Sequence, residues 1–136
     1  MKYIITTITA LILSSNLFAA EMTRSEIENH IIQTAKELRR DLWVAGHAEV
    51  DSWHQKATLE LINDHVKKEN NQYYEDSLDR DEISDIYRCF YRKSCEVHFI
   101  GTSSEYWGGY GTEAHFVLLN TSTRKHHIIS HVTYAE

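Results

Sequence analysis

The spacing of apolar residues changes once along the chain, close to Lys93-Ser94, and this change determines the fold class. Before it, apolar residues recur three or four positions apart, as in amphipathic helices. After it, the segment from Cys95 to Phe99 alternates between a more apolar and a more polar face, as in a β-strand. We therefore predict an α+β fold, with N-terminal amphipathic helices at about 24–91 packed on a C-terminal antiparallel sheet at about 95–135.

Three capping-box spacings predict where helices begin. In this motif a Ser, Thr or Asp and a Glu or Gln three positions later satisfy free backbone N–H groups of the first turn. The spacings occur at residues 23–26, 52–55 and 79–82. The first precedes a long apolar stripe, the second predicts a helix that ends near residue 71, and the third predicts a helix over about 80–91.

Three strands are predicted in the C-terminal half, joined as an antiparallel meander. Glycines at 108–109 provide the positive φ of a tight hairpin turn, which sets Trp107 opposite Tyr110. We expect the third strand to pair with the second so that Leu118 lies opposite His126. This layout, helices followed by a meander, looks like the cystatin-like class of cone-shaped folds, in which a helix lies in the concavity of a curved sheet.

The first twenty residues have the pattern of a secretory signal peptide. Lys2 precedes a short apolar stretch, which small residues, Ala19 and Ala20, close. Cleavage after either alanine leaves one domain, 21–136, which we place in the periplasm or outside the cell. The stretch is shorter than the roughly 20 apolar residues of a membrane-spanning helix. We therefore expect no membrane span after cleavage.

The two cysteines, Cys89 and Cys95, are expected to form a disulfide. An even number of cysteines in an exported chain favours this pairing. It would tie the end of the third helix to the first strand of the predicted meander. By loop-closure entropy, a bridge across so short a loop contributes roughly 2–3 kcal/mol.

The charge balance restricts the class of partner. The chain carries 14 lysines and arginines against 20 aspartates and glutamates, a formal charge of −6 at pH 7. Nucleic-acid binding proteins neutralise phosphates with basic side chains, so we expect no nucleic-acid partner. An acidic surface instead suits a basic protein partner, and the alternative is that the acidity serves only solubility.

Histidines suggest several alternative functions. On the predicted register, His98, His115, His127 and His131 share the sheet face opposite the core. A metal site would use His115 with His127 or His131 and Glu113, and a small hydrolase would use the same residues as acid and base. The face would otherwise act as a pH sensor or as a homodimer contact, since it also carries aliphatic residues. Because no recognised ligand spacing or catalytic motif is present, we assign no cofactor and no catalytic residue.

The hairpin tip is the predicted partner-binding site, and its residues are Glu105, Tyr106, Trp107 and Tyr110. Large rigid side chains on a glycine-flanked turn are typical anchors of protein contacts. The alternative is that Trp107 and Tyr110 form a cross-strand pair that only stabilises the hairpin. From the tip and the charge we predict a non-catalytic immunity or inhibitor protein that occludes a toxin or a cell-wall hydrolase.

Overall fold

A computed structural model describes residues 21–67 and 78–135, so the predicted signal peptide and its cleavage site lie outside the described residues. The elements in chain order are α1 (Arg24–Val44), β1 (Ala48–Lys56), α2 (Leu59–Lys67), α3 (Arg80–Tyr91), β2 (Cys95–Tyr106), β3 (Gly109–Asn120) and β4 (His126–Ala135). The strands form one antiparallel sheet in the order β1-β2-β3-β4. The α+β class is confirmed, but the sheet has four strands and not three. Within the two described ranges, no helix combines the length and hydropathy needed to cross a bilayer.

The first and third predicted helices begin at their capping boxes. The Thr23 hydroxyl accepts the Glu26 N–H at 3.2 Å, and the Glu26 carboxylate accepts the Thr23 N–H at 3.3 Å. Asp79 and Glu82 make the same reciprocal pair at 2.8 and 3.0 Å. The third helix, predicted over 80–91, has those bounds. In both helices, local side-chain chemistry determines the first turn.

The predicted helix start at 52–55 is wrong, because these residues belong to the edge strand β1. Trp53 lies opposite Gly101 in the β1–β2 register, and its indole occupies the space that a side chain at position 101 would need. The absence of a side chain at Gly101 lets the Trp53 indole pack directly on the neighbouring strand, and this contact supports the pairing of β1 with the sheet. The second helix, α2, begins only at Leu59, and the part of that prediction beyond residue 67 lies outside the described ranges.

The sheet is buried on both faces, whereas one core face was predicted. Every residue of 97–104 and 114–119 is buried, the continuous pattern of strands covered on both sides. On the α1 side, helix residues pack on the central strands: Ile27, Ile31 and Ala35 against Ile100, Val117 and Leu119. On the α2/α3 side, the core includes Ile62, Ile86, Cys89, Val97, Phe99, Phe116 and Ile129.

The two turn residues between β2 and β3 are Trp107 and Gly108, whereas the predicted turn residues were Gly108 and Gly109. The turn therefore lies one residue earlier than predicted. Tyr106 lies opposite Gly109, and Phe99 lies opposite Phe116. The total slip in pairing is two residues, so every side chain stays on its predicted face. The face assignment in β2 and β3 therefore survives the error in register.

The register of β4 is wrong by one residue, and this error reverses its faces. Leu118 lies opposite His127 and not opposite His126. Ile129 and His131 consequently lie on the α2/α3 side, and Ile128 lies on the α1 side. A one-residue slip always moves a strand's side chains to the opposite face, because successive side chains alternate.

We predict that Gly101→Ala destabilises the protein because the new methyl group collides with the Trp53 ring. Overpacking of this kind costs about 1–3 kcal/mol of unfolding free energy. In a Trp53→Ala background the same change should cost nothing or stabilise by about 0.4–1 kcal/mol, through the unfolded state. Urea unfolding of the four proteins of this double-mutant cycle measures the difference. An equal cost in both backgrounds would contradict the packing described above.

Candidate partner-binding site at the hairpin end

Trp107 projects from the tip of the β2–β3 hairpin and is fully exposed to solvent. Its φ is +50° and that of Gly108 is +78°, the left-handed pair of a tight hairpin turn. This conformation is natural for glycine and asparagine but is an outlier for a bulky residue. The sequence thus places a large apolar side chain where both backbone and exposure disfavour it.

Trp107 does not pair with Tyr110, so the interpretation of a stabilising cross-strand pair is wrong. Tyr110 lies opposite Glu105, and its ring centroid is 6.3 Å from that of Tyr134 on β4. Tyr110 remains 40% exposed. The indole of Trp107 therefore does not supply the cross-strand packing that was predicted for the hairpin.

The other two predicted tip residues lie on opposite faces of β2. Glu105 is exposed on the α2/α3 side. Tyr106 is half-buried on the α1 side, with its ring centroid 5.1 Å from that of His47. An added Cβ at Gly111 would lie only 2.9 Å from the Tyr106 ring, which shows that the ring covers this glycine. The four predicted residues thus share one end of the molecule but not one face.

The chain that follows α1 completes this end of the molecule. Gly46 and Ala48 line a surface depression of about 400 Å³ together with the tip residues from Glu105 to Tyr110. Just before it, in the last turn of α1, Trp43 is 68% exposed and Val44 is 78% exposed. We call residues 43–48 and 105–111 the hairpin end.

Trp43 and Val44 were missed by the sequence analysis, although a signal was available. The apolar stripe of α1 that reaches the core contains Ile27, Ile31 and Ala35. Trp43 and Val44 do not continue this stripe, and an aromatic residue outside the core stripe of a helix is exposed by default. Such an exposed aromatic residue indicates a candidate interaction surface.

Charge is distributed unevenly between the two ends of β2. No lysine or arginine occurs in residues 41–55 or 94–123, while carboxylates at the hairpin end and near it belong to Glu49, Asp51, Glu105 and Glu113. The basic residues Arg88, Arg92 and Lys93 are exposed at the other end, beside the Cys89–Cys95 disulfide, which is formed as predicted. At about 3.3 Å per residue, the length of β2 separates the two ends by roughly 40 Å.

The predicted histidine face does not exist, because the reversed β4 separates its members. His98 and His115 lie on the α1 side, whereas His127 and His131 lie on the α2/α3 side. His131 instead meets His65 of α2, with Nε2 to Nδ1 at 3.1 Å, and stacks on Phe116. Glu113 and His115 are thus not joined by His127 or His131, as the hydrolase and metal alternatives require. Among the described residues, no group of three or more His, Cys, Asp or Glu side chains has the geometry of a metal site.

His115 is held by hydroxyl groups at both ring nitrogens. Its Nε2 hydrogen-bonds with Thr102 Oγ1 at 2.9 Å, and its Nδ1 with Ser130 Oγ at 2.7 Å. Burial lowers the pKa of His115 to about 4, since the charged form loses its hydration. The ring is therefore neutral at neutral pH and forms part of the structure between the sheet and its cover.

Helix α1 covers the aliphatic residues that suggested a homodimer. Ile100, Val117 and Leu119 are buried under Ile27 and Ile31 of the same chain. The apolar surface that motivated the homodimer is thereby explained within one chain. Self-association itself stays a prediction.

Comparison of the chain with protein-family models, with curated proteins and with solved structures finds no match.

We predict that stability falls as the pH decreases from 6.5 to about 4, because the unfolded chain protonates His115 before the folded protein does. Burial lowers the pKa of His98 as well, although Glu96 opposes the effect, so His98 contributes in the same direction. The His115 shift corresponds to about 3 kcal/mol of unfolding free energy over that range. His115→Gln keeps a hydrogen-bonding side chain but cannot titrate. Its stability should depend less on pH between 6.5 and 5 in urea unfolding experiments, and parallel curves for the two proteins would refute this assignment.

Proposed function

We propose that the protein is an exported, non-catalytic binding protein of the immunity or inhibitor type, which occludes a toxin or a cell-wall hydrolase with its hairpin end. The observation that carries the proposal is the fully exposed Trp107 in a left-handed turn conformation. Unfavourable backbone conformations cluster at functional sites. A tryptophan at a rigid tip buries a large area in a partner at little entropic cost.

The surroundings of Trp107 support a protein partner over a small ligand. Trp43, Val44 and Tyr110 add exposed apolar area at the same end, and the depression beside the tip is open and shallow. Interfaces commonly have this composition, with aromatic anchors inside a polar rim. The β2–β3 ladder holds the tip with twelve paired positions, so little order is lost on binding.

The sign of the charge supports a basic partner. Carboxylates outnumber basic side chains around the hairpin end: Glu105 lies in it and Glu49, Asp51 and Glu113 lie near it, whereas the nearest arginines along the chain are Arg39 and Arg40 of α1. Complementary charge accelerates encounter and excludes like-charged partners. Toxins and hydrolases that act on acidic nucleic acids or cell walls are often basic, and a basic surface is complementary to this one.

Export to a Gram-negative-type periplasm is part of the same proposal. It rests on the signal-peptide pattern of residues 1–20 and on the Cys89–Cys95 disulfide, since such bonds persist in oxidising compartments. In that compartment an inhibitor would meet hydrolases and imported toxins before they reach their substrates.

The test begins with the mature protein, residues 21–136, as an affinity bait for periplasmic extract and for cultures that express neighbouring toxin genes. Mass spectrometry identifies the captured protein, and calorimetry with the purified partner measures the affinity. Loss of the partner's enzymatic or toxic activity in the complex is the expected functional result. Binding without any loss of activity would contradict the inhibitor assignment.

We predict that Trp107→Asn weakens partner binding at least 30-fold, which corresponds to the roughly 2 kcal/mol of a hot-spot residue. The same change should raise the unfolding free energy by about 1 kcal/mol, because asparagine accepts the left-handed turn conformation. The control is Tyr91→Asn, which removes an aromatic side chain that is 70% exposed at the disulfide end. It should leave the affinity unchanged. Wild-type affinity in the Trp107 variant would remove the hairpin tip from the interface.

A further inference from the structure

A polar cleft opens on the α1 side of the sheet, beside the hairpin end, where α1 no longer covers the strands. Its volume is about 200 Å³, and its walls include His47, Thr102, Ser104, Tyr106 and Glu113. Pockets for drug-sized ligands start at about 300 Å³, so this cleft fits a single side chain or a fragment of similar size. The size alone points to one small group as the occupant.

Glu113 gives the polar cleft its charge. It is the only carboxylate among the lining residues, which include no lysine or arginine. Of the described residues, only His115 lies within ion-pair distance, with Nε2 3.6 Å from Glu113 Oε2. Both ring nitrogens of His115 are already hydrogen-bonded to the hydroxyls of Thr102 and Ser130, and the buried ring is neutral at neutral pH, so it does not compensate the carboxylate. The Glu113 side chain is 37% accessible, so a ligand can reach it.

Two hydroxyl groups of the cleft are already paired within the protein. The Ser104 hydroxyl hydrogen-bonds with Nδ1 of His47 at 2.7 Å, and the Thr102 hydroxyl hydrogen-bonds with His115. Tyr106 forms an aromatic wall, because its ring stands over Gly111 and against the His47 ring. A carboxylate next to an aromatic wall, with no lysine or arginine in the lining, selects a flat or rounded cation over an anion.

We propose that the polar cleft receives the terminal guanidinium or ammonium group of an arginine or lysine side chain, with Glu113 as its counter-ion and Tyr106 as its stacking surface. Tyr106 lines both this cleft and the depression at the hairpin tip. The two cavities therefore adjoin, and a partner that covers Trp107 has the cleft within reach. The assignment of this cation to the bound partner rests on the proposed function. The selectivity of the cleft for a cation does not depend on it.

The experiment uses N-acetylarginine methylamide as the probe, with N-acetylcitrulline methylamide as its uncharged isostere. In ¹⁵N-resolved NMR titrations of the mature protein, the arginine probe should shift the amide signals of residues 104–106 and 111–113, with an affinity in the millimolar range. The citrulline probe should bind at least tenfold more weakly, because it has nearly the same shape but lacks the positive charge that pairs with Glu113.

Glu113→Gln should reduce the affinity for the arginine probe at least tenfold. Glu37→Gln is the matched control, because Glu37 is an exposed carboxylate of α1 on the same side of the sheet. It removes the same charge and should bind the probe like the wild type. Equal binding of the arginine and citrulline probes, or unchanged binding in the Glu113 variant, would overturn the proposal. Comparison of the two probes on the wild type decides the question even if the Glu113 variant does not fold.

The two proposals fail in distinguishable ways. The probe titration needs no partner protein, so a negative result removes the cation site and leaves the Trp107 test unaffected. A partner that binds Trp107→Asn like the wild type removes the hairpin tip, while selective binding of the arginine probe would still establish the cleft. Loss of partner affinity in both Trp107→Asn and Glu113→Gln, with Glu37→Gln unaffected, joins the two sites in one interface.

Discussion

The antiparallel ladder between β2 and β3 is the interaction on which the rest of the structure depends. It joins twelve residue pairs, from Cys95 with Asn120 to Tyr106 with Gly109. Because these strands are apolar on both faces, they need cover on both sides. Helix α1 supplies it on one side and α2 with α3 on the other. The helices do not cover the end of the ladder at the hairpin tip, so a partner can reach the tip and the polar cleft.

The features predicted correctly from sequence are those with local causes. The capping boxes at 23–26 and 79–82 satisfy the backbone within four residues, and the helices begin there. The same spacing at 52–55 lies in a strand, because Trp53 packs on Gly101, a residue distant in sequence. The β4 register depends on the turn after Asn120, in which Arg124 adopts a φ of +65°. Arginine rarely takes that conformation, so the turn has no recognisable sequence signal, and the assumed pairing of Leu118 with His126 is wrong by one position.

The candidate site shows the same division between local and distant causes. The tip residues were recognisable because glycines flank aromatic side chains in the sequence itself. Assembly of Glu113 with Tyr106 and His47 depends on the β2–β3 register and on the loop after α1, so the polar cleft was not predicted. The single histidine face was predicted wrongly for a related reason, since one residue of register decides the face of His127 and His131. In this fold, the register of the strands determines which functional side chains lie close together.

The central claim is that the hairpin end, and not the disulfide end, contacts the partner. Hydroxyl-radical footprinting of the free protein and of its complex tests this claim most directly, because it reports the exposure of individual aromatic side chains. Trp107, which is fully exposed in the free chain, should become protected in the complex. Tyr91, exposed at the other end, should be oxidised equally in both samples. Protection of Tyr91 with undiminished oxidation of Trp107 would contradict the account.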